Sequence, residues 1–118
     1  MTTIDQPASR SPKRQRLPQL NGDQLFVTDG GLETELVFHD GIDLPCFAAF
    51  PLLDNADTRE RLRRYYDGYL DIARQIGAGF VVETPTWRAN PDWAGHLGYS
   101  LEELDAVNRS AVALAEEV

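Results

Sequence analysis

Two short stretches carry side chains that could do chemistry together. Thr28-Asp29-Gly30-Gly31 offers a carboxylate followed by two residues with no side chain. A carboxylate at the end of a strand is well placed to accept hydrogen bonds from a substrate ammonium, and paired glycines let backbone N–H groups approach a substrate carboxylate closely. Those are the two ends of an amino acid. The second stretch, Glu83-Thr84-Pro85-Thr86-Trp87-Arg88, offers hydroxyls, an aromatic face and a guanidinium. Both have plainer readings as well, since Asp-Gly-Gly is an ordinary turn and loops are polar wherever they occur.

The remaining reactive side chains are scattered. Cys46 lies between Pro45 and Phe47 in an apolar segment and reads as a buried structural thiol. As the lone cysteine it can close no internal disulfide, and neither His39 nor His96 stands at zinc-like spacing to it. His39 beside Asp40 and His96 beside Gly95 read as exposed loop histidines. Arg59, Arg61, Arg63 and Arg64, with Glu60 and Asp67 among them, read as the solvated face of a helix. No dinucleotide or P-loop glycine pattern occurs.

The elements that must position the two stretches follow from local patterns. Residues 1 to 22 contain Pro7, Pro12 and Pro18 and end at Asn21-Gly22, which predicts a flexible extension. Leu25–Thr28 predicts a buried strand, and Leu32–Val37 a short helix. Gly41 to Pro51, with two prolines and no clean period, reads as an ordered loop. Asp57 with Glu60 resembles a capping box, after which Leu62, Tyr66, Tyr69, Ala73 and Ile76 form an apolar stripe that Gly77 stops. Phe80–Thr84 then predicts a second buried strand, ended by Pro85. A polar loop with Asn90-Pro91 and Gly95 leads to a capping box at Ser100 and Glu103 and a helix with Leu104, Val107, Ala111, Leu114 and Val118 on one face. That helix stops in mid-pattern, as a chain cut short would.

Strand, helix, strand, helix is the signature of a parallel α/β arrangement, which puts both chemical stretches at matching ends of successive strands. Two strands leave both as edges, so these elements read as the opening of something larger.

Composition narrows the classes of function. The 118 residues are 42% hydrophobic and carry a net charge of −8. Arg10, Lys13, Arg14 and Arg16 face only Asp5 in the first sixteen positions, a +3 tail, so the rest carries −11. That balance repels nucleic-acid phosphates and anionic membranes. No apolar run approaches the ~18 residues of a membrane helix, and the N-terminus lacks a signal-peptide core. These features predict a cytoplasmic protein with neither nucleic-acid nor membrane partners.

Val27-Thr28-Asp29-Gly30-Gly31-Leu32-Glu33-Thr34-Glu35-Leu36 resembles the first-strand motif of the homocysteine S-methyltransferase family, in which Asp-Gly-Gly or Asp-Gly-Ala precedes a Thr-Glu-Leu stretch. Tyr65 to Leu70 with Ile76 to Gly79 is similar to the family's helix before the second strand, and Val82 to Asn90 to its Thr-x-Thr-aromatic loop. The resemblance implies a (β/α)8 TIM barrel of which residues 23–118 form the N-terminal part, about two β/α units out of the ~250 residues a barrel needs. It implies transfer of a methyl group from S-methylmethionine, betaine or a methylated folate to the thiol of homocysteine, giving methionine, with zinc activating the thiol. Asp29 would hold the homocysteine amino group, Gly30 and Gly31 would sit beside the amino acid, and Thr84, Thr86 and Trp87 would line the pocket. Pro85 and Arg88 stand at variable positions expected to face the donor. The family's zinc-binding cysteines lie on later strands, so neither catalytic residues nor metal ligands are expected in this segment.

Homocysteine and a small methyl donor are then the expected partners, with self-association left open. One alternative is a non-catalytic barrel remnant that acts through a partner chain or binds amino acids weakly; another is an unrelated barrel-type enzyme using Asp29 as general base. The purified 118-residue chain is expected to form no methionine from homocysteine and a methyl donor, and product detected by mass spectrometry would overturn that expectation.

Overall fold

In the computed structural model, which describes residues 17–20 and 22–118, two three-residue strands lie side by side. The extension expected over residues 1–22 falls mostly on residues 1–16 and 21, outside the described ones; within it, Pro18–Leu20 make a single 3-10 turn. β1 (Phe26–Thr28) and β2 (Gly79–Val81) are parallel, with Phe26 opposite Gly79, Val27 opposite Phe80 and Thr28 opposite Val81. Parallel neighbours require a long crossover. Here it consists of α1 (Leu32–Phe38), a tight turn at Pro45–Phe47, a 3-10 turn at Phe50–Asp54 and the long helix α2 (Ala56–Ile76). After β2 come α3 (Pro91–His96) and α4 (Leu101–Glu117). The chain is thus a small mixed α/β unit with a parallel strand pair.

Both strands are shorter and less buried than expected. Pairing stops at Val81 because β1 has turned away after Thr28, leaving Val82–Thr84 no strand opposite. The strand residues are half-buried, apart from the exposed Thr28, because the apolar core lies among the helices. Leu32 and Leu36 of α1, Phe50 and Leu53 of the 3-10 turn, Leu62 and Tyr66 of α2 and the Leu104, Val107, Ala111 and Leu114 stripe of α4 form it together. The Phe50–Asp54 turn packs against both α2 and α4, and Phe50, 0% exposed, meets Tyr99 edge to face at 5.1 Å.

Helix ends are decided by local hydrogen bonds. α2 begins two residues earlier than the expected Asp57–Glu60 box: Asn55 is its N-cap, with Oδ1 accepting from the N–H groups of Asp57 (2.9 Å) and Thr58 (3.3 Å). Thr58 donates its hydroxyl to the Leu52 carbonyl at 2.6 Å, tying the helix to the preceding turn. At the other end Gly77 adopts φ 68°, and Ala78 N–H reaches the Ala73 carbonyl at 2.9 Å, a Schellman closure that a left-handed glycine permits. Within α2, Leu62, Tyr66 and Ala73 are buried as the stripe predicts and Tyr69 is half-buried. Tyr65 is buried in addition, whereas Ile76 is 58% exposed because the last turn of α2 runs past the elements that cover its middle.

The Asn90-Pro91 loop turns out to start a helix. Asn90 caps α3 through the Trp93 N–H at 3.2 Å and Pro91 takes the first helical position; six residues are too few to show an apolar period. The Ser100 box forms as expected, Ser100 N–H to Glu103 at 2.9 Å and Glu103 N–H to Ser100 Oγ at 3.1 Å. Three of the four helix arginines are not simply solvated. Arg59 grips both carboxylate oxygens of Glu117 at the far end of α4, Arg63 reaches the same carboxylate at 3.4 Å, and Arg61 pairs with Asp40. Among the described residues no helix is long and apolar enough to cross a membrane.

Replacing Ser100 by Ala is expected to lower the stability by about 1 kcal/mol, read as a fall in the urea midpoint at constant slope. The N-cap hydrogen bonds also hold the Glu103 carboxyl below its ordinary range, and Arg59 does the same for Glu117. A lowered folded value means stability that is present above the unfolded value of about 4.3 and lost as pH falls through the folded one. Glu103→Gln together with Glu117→Gln should therefore flatten the loss of stability below about pH 5.

Candidate functional site

Asp29 follows the last residue of β1 directly, and the two glycines carry the chain from the strand into α1. Gly31 does this in the left-handed region, φ 69°, and its carbonyl accepts from Glu35 N–H at 2.9 Å. A side chain at Gly31 would meet no neighbour within 4 Å, so backbone conformation rather than crowding is what calls for glycine.

Asp29 is held from α2. Tyr65 Oη lies 3.0 Å from Asp29 Oδ2 and 2.8 Å from the Gly30 carbonyl, sharing one phenolic hydrogen between two acceptors. Tyr69, one helical turn on, donates to the same Gly30 carbonyl at 3.0 Å, and the two rings lie 5.2 Å apart. Tyr66, pointing toward the other strand, donates to the Glu83 carbonyl at 2.6 Å. One helix thus fastens the loops after both strands. The other oxygen of Asp29, Oδ1, is buried and has no hydrogen-bond partner among the described residues. A buried carboxylate oxygen left unpaired is costly unless a donor arrives.

Between the two strand ends lies a cleft of about 150 Å³. Asp29, Gly30, Gly31, Thr84 and Trp87 border it, so the structure brings together five of the six residues that the resemblance implies for the substrate site. Thr86 is the exception: it pairs hydroxyl to hydroxyl with Thr84 at 2.7 Å and faces a neighbouring depression. Pro85, Glu33 and Glu83 complete much of the lining. Three carboxylates around so small a space favour a cation such as a primary ammonium. The volume suits a small metabolite rather than a drug-sized ligand of 300 Å³ or more, roughly.

The other candidates do not gather here. Cys46 is half-buried rather than buried, in a turn where its own φ is 57° and that of Phe47 is 54°. His39 is exposed at the end of α1, and His96 is exposed on the last turn of α3 rather than in a loop. Among the described residues no three His, Cys, Asp or Glu side chains converge as a metal site. Arg88 stacks between Trp87 and Trp93 and donates to the Cys46 carbonyl at 2.6 Å. Sequence reasoning missed the supporting tyrosines; the i, i+4 spacing of Tyr65 and Tyr69 was the available signal.

A family model described as Homocysteine S-methyltransferase matches residues 26–118. Comparison with curated proteins finds no match, and comparison with solved structures finds none either.

Burial, followed by the neighbouring carboxylates, raises the phenol pKa values of Tyr65, Tyr66 and Tyr99 above the ordinary range. A raised folded value means stability that is complete below the unfolded value of about 10 and lost as pH rises beyond it. Tyrosinate absorbance from these three of the four tyrosines should therefore appear in alkali only as the fold opens, with the same midpoint as the loss of helical circular dichroism. Full phenol ionisation near pH 10 with the helices intact would contradict it.

Proposed function

The chain belongs to the homocysteine S-methyltransferase family, and on that premise we propose that residues 23–118 are the N-terminal part of a homocysteine-binding (β/α)8 barrel whose first two strand ends hold the substrate's amino-acid moiety. The observation that carries this reading is the buried Oδ1 of Asp29, which has no hydrogen-bond partner among the described residues. An ammonium supplies the hydrogen that this oxygen lacks, and Tyr65 on Oδ2 keeps the carboxylate from turning away. Glu33 and Glu83 add attraction for the same cation. Gly30 and Gly31 leave room for the substrate backbone, Thr84 presents a hydroxyl, and Trp87 offers an apolar face to the methylene chain. Thr86 acts through its hydrogen bond to Thr84.

The reaction that follows from family membership is displacement at a methyl carbon. A homocysteine thiolate forms the new S–C bond while the methyl group's bond to the donor's nitrogen or sulfonium sulfur breaks, and that electron pair leaves with the donor. Fixing the amino-acid end turns attack by the distant thiolate into a positioned event, which is the contribution this segment makes. Zinc, which the family resemblance implies as the group that makes the thiolate available, does not fit the donors present here: among the described residues none converge on a metal position. The role we assign to these residues is substrate binding and orientation, on the strength of the Asp29 carboxylate at the cleft.

Titration calorimetry with L-homocysteine tests the reading. Asp29→Ala is expected to raise the dissociation constant at least tenfold, about the 1.5 kcal/mol lower bound for a hydrogen bond to a charged group. A dissociation constant unchanged by the substitution would remove Asp29 from the site.

A further inference from the structure

Arg88, next to the cleft-lining Trp87, forms no ion pair with a carboxylate among the described residues and is held instead by two indoles and a backbone carbonyl. Its guanidinium carbon lies 4.3 Å from the ring centre of Trp87 and 4.1 Å from that of Trp93, so the planar cation fills the gap between two indoles. Nη1 donates to the Cys46 carbonyl at 2.6 Å. That carbonyl belongs to a turn whose Cys46 and Phe47 both take left-handed backbone, a conformation that residues with side chains adopt at a cost. The guanidinium therefore joins three segments: the loop after β2, the N-terminal half of α3 and the strained turn after α1.

Trp87 is the member of this stack that borders the cleft, and it is 62% exposed, so little else restrains its ring. We infer that Arg88 is a positioning residue, which sets the indole of Trp87 as the wall of the amino-acid cleft by clamping it against Trp93 and the Cys46 carbonyl. The inference rests on the cleft being the amino-acid site. A lysine would keep the charge but could not stack flat between two rings while reaching the carbonyl.

The protein's two tryptophans make the test direct, because Trp93→Phe leaves Trp87 as the sole indole and retains an aromatic partner. In that background Arg88→Met is expected to raise acrylamide quenching of Trp87 about twofold and to weaken L-homocysteine binding about fivefold, with helical circular dichroism unchanged. Arg88→Lys should recover less than half of either effect. Quenching and affinity that stay at their starting values in Arg88→Met overturn the inference, as does full recovery by lysine, which would make charge alone sufficient. Looser Trp87 with unaltered affinity overturns the role in the site. If the parent protein binds no homocysteine, the proposed function fails, whereas the quenching result still decides whether Arg88 holds Trp87.

Discussion

Tyr65 has to satisfy two acceptors at once, the Asp29 carboxylate and the Gly30 carbonyl, and it does so from a buried position on α2. Tyrosine suits that duty because its ring supplies apolar area to the core while its hydroxyl reaches a polar edge. The ring packs at 5.4 Å from Tyr66 and 5.2 Å from Tyr69, and each of those phenols also ends on a backbone carbonyl of a strand-end loop. α2 is thus both the longest part of the crossover between the two parallel strands and the support from which both loops hang. The loops that carry Asp29 and Glu83 are therefore both hydrogen-bonded to one helix.

That packing comes from the helical side of the molecule. Leu62 and Tyr66 are buried against the Phe50–Asp54 turn, whose other face receives the apolar stripe of α4. Arg59 and Arg63 join the first turns of α2 to Glu117 at the end of α4, an exposed cluster that contributes modestly to stability but aligns the two helices. The strands contribute less than their place in the architecture suggests, since their residues are half-buried or exposed. They set direction: both end at the same side, and their ends deliver Asp29 and Thr84 to one cleft.

Charge acts on the site in the same sense as geometry. A chain of net charge −8 whose cleft is bordered by Asp29, Glu33 and Glu83 attracts cations to that point. Asp29 Oδ1, buried and without a hydrogen-bond partner among the described residues, is the acceptor there that still lacks a donor. Trp87, also on the border, stacks against the Arg88 guanidinium. The lining thus combines carboxylate-bearing residues, Asp29, Glu33 and Glu83, with the aromatic Trp87.

The amino-acid sequence by itself determined what depends on neighbours within a few residues. The Ser100–Glu103 box, the glycine stop at Gly77, the helix stripes centred on Leu62 and Leu104 and the Asp-Gly-Gly exit from β1 are local, and each was legible from spacing because its partners lie within a turn or two. Legibility failed where two local solutions competed: Asn55 and Asp57 can each cap α2, and Asn90-Pro91 serves a turn as well as a helix start. Only the tertiary structure decided which side chains meet across the chain. Tyr65 and Asp29 are 36 residues apart and Arg88 and Cys46 are 42, and no periodicity reports such pairs. The same reason separates Thr84, which reaches the cleft, from Thr86, which does not: their spacing is identical to that of two residues on one strand face, but pairing ends at Val81, and the loop beyond it follows its own hydrogen bonds.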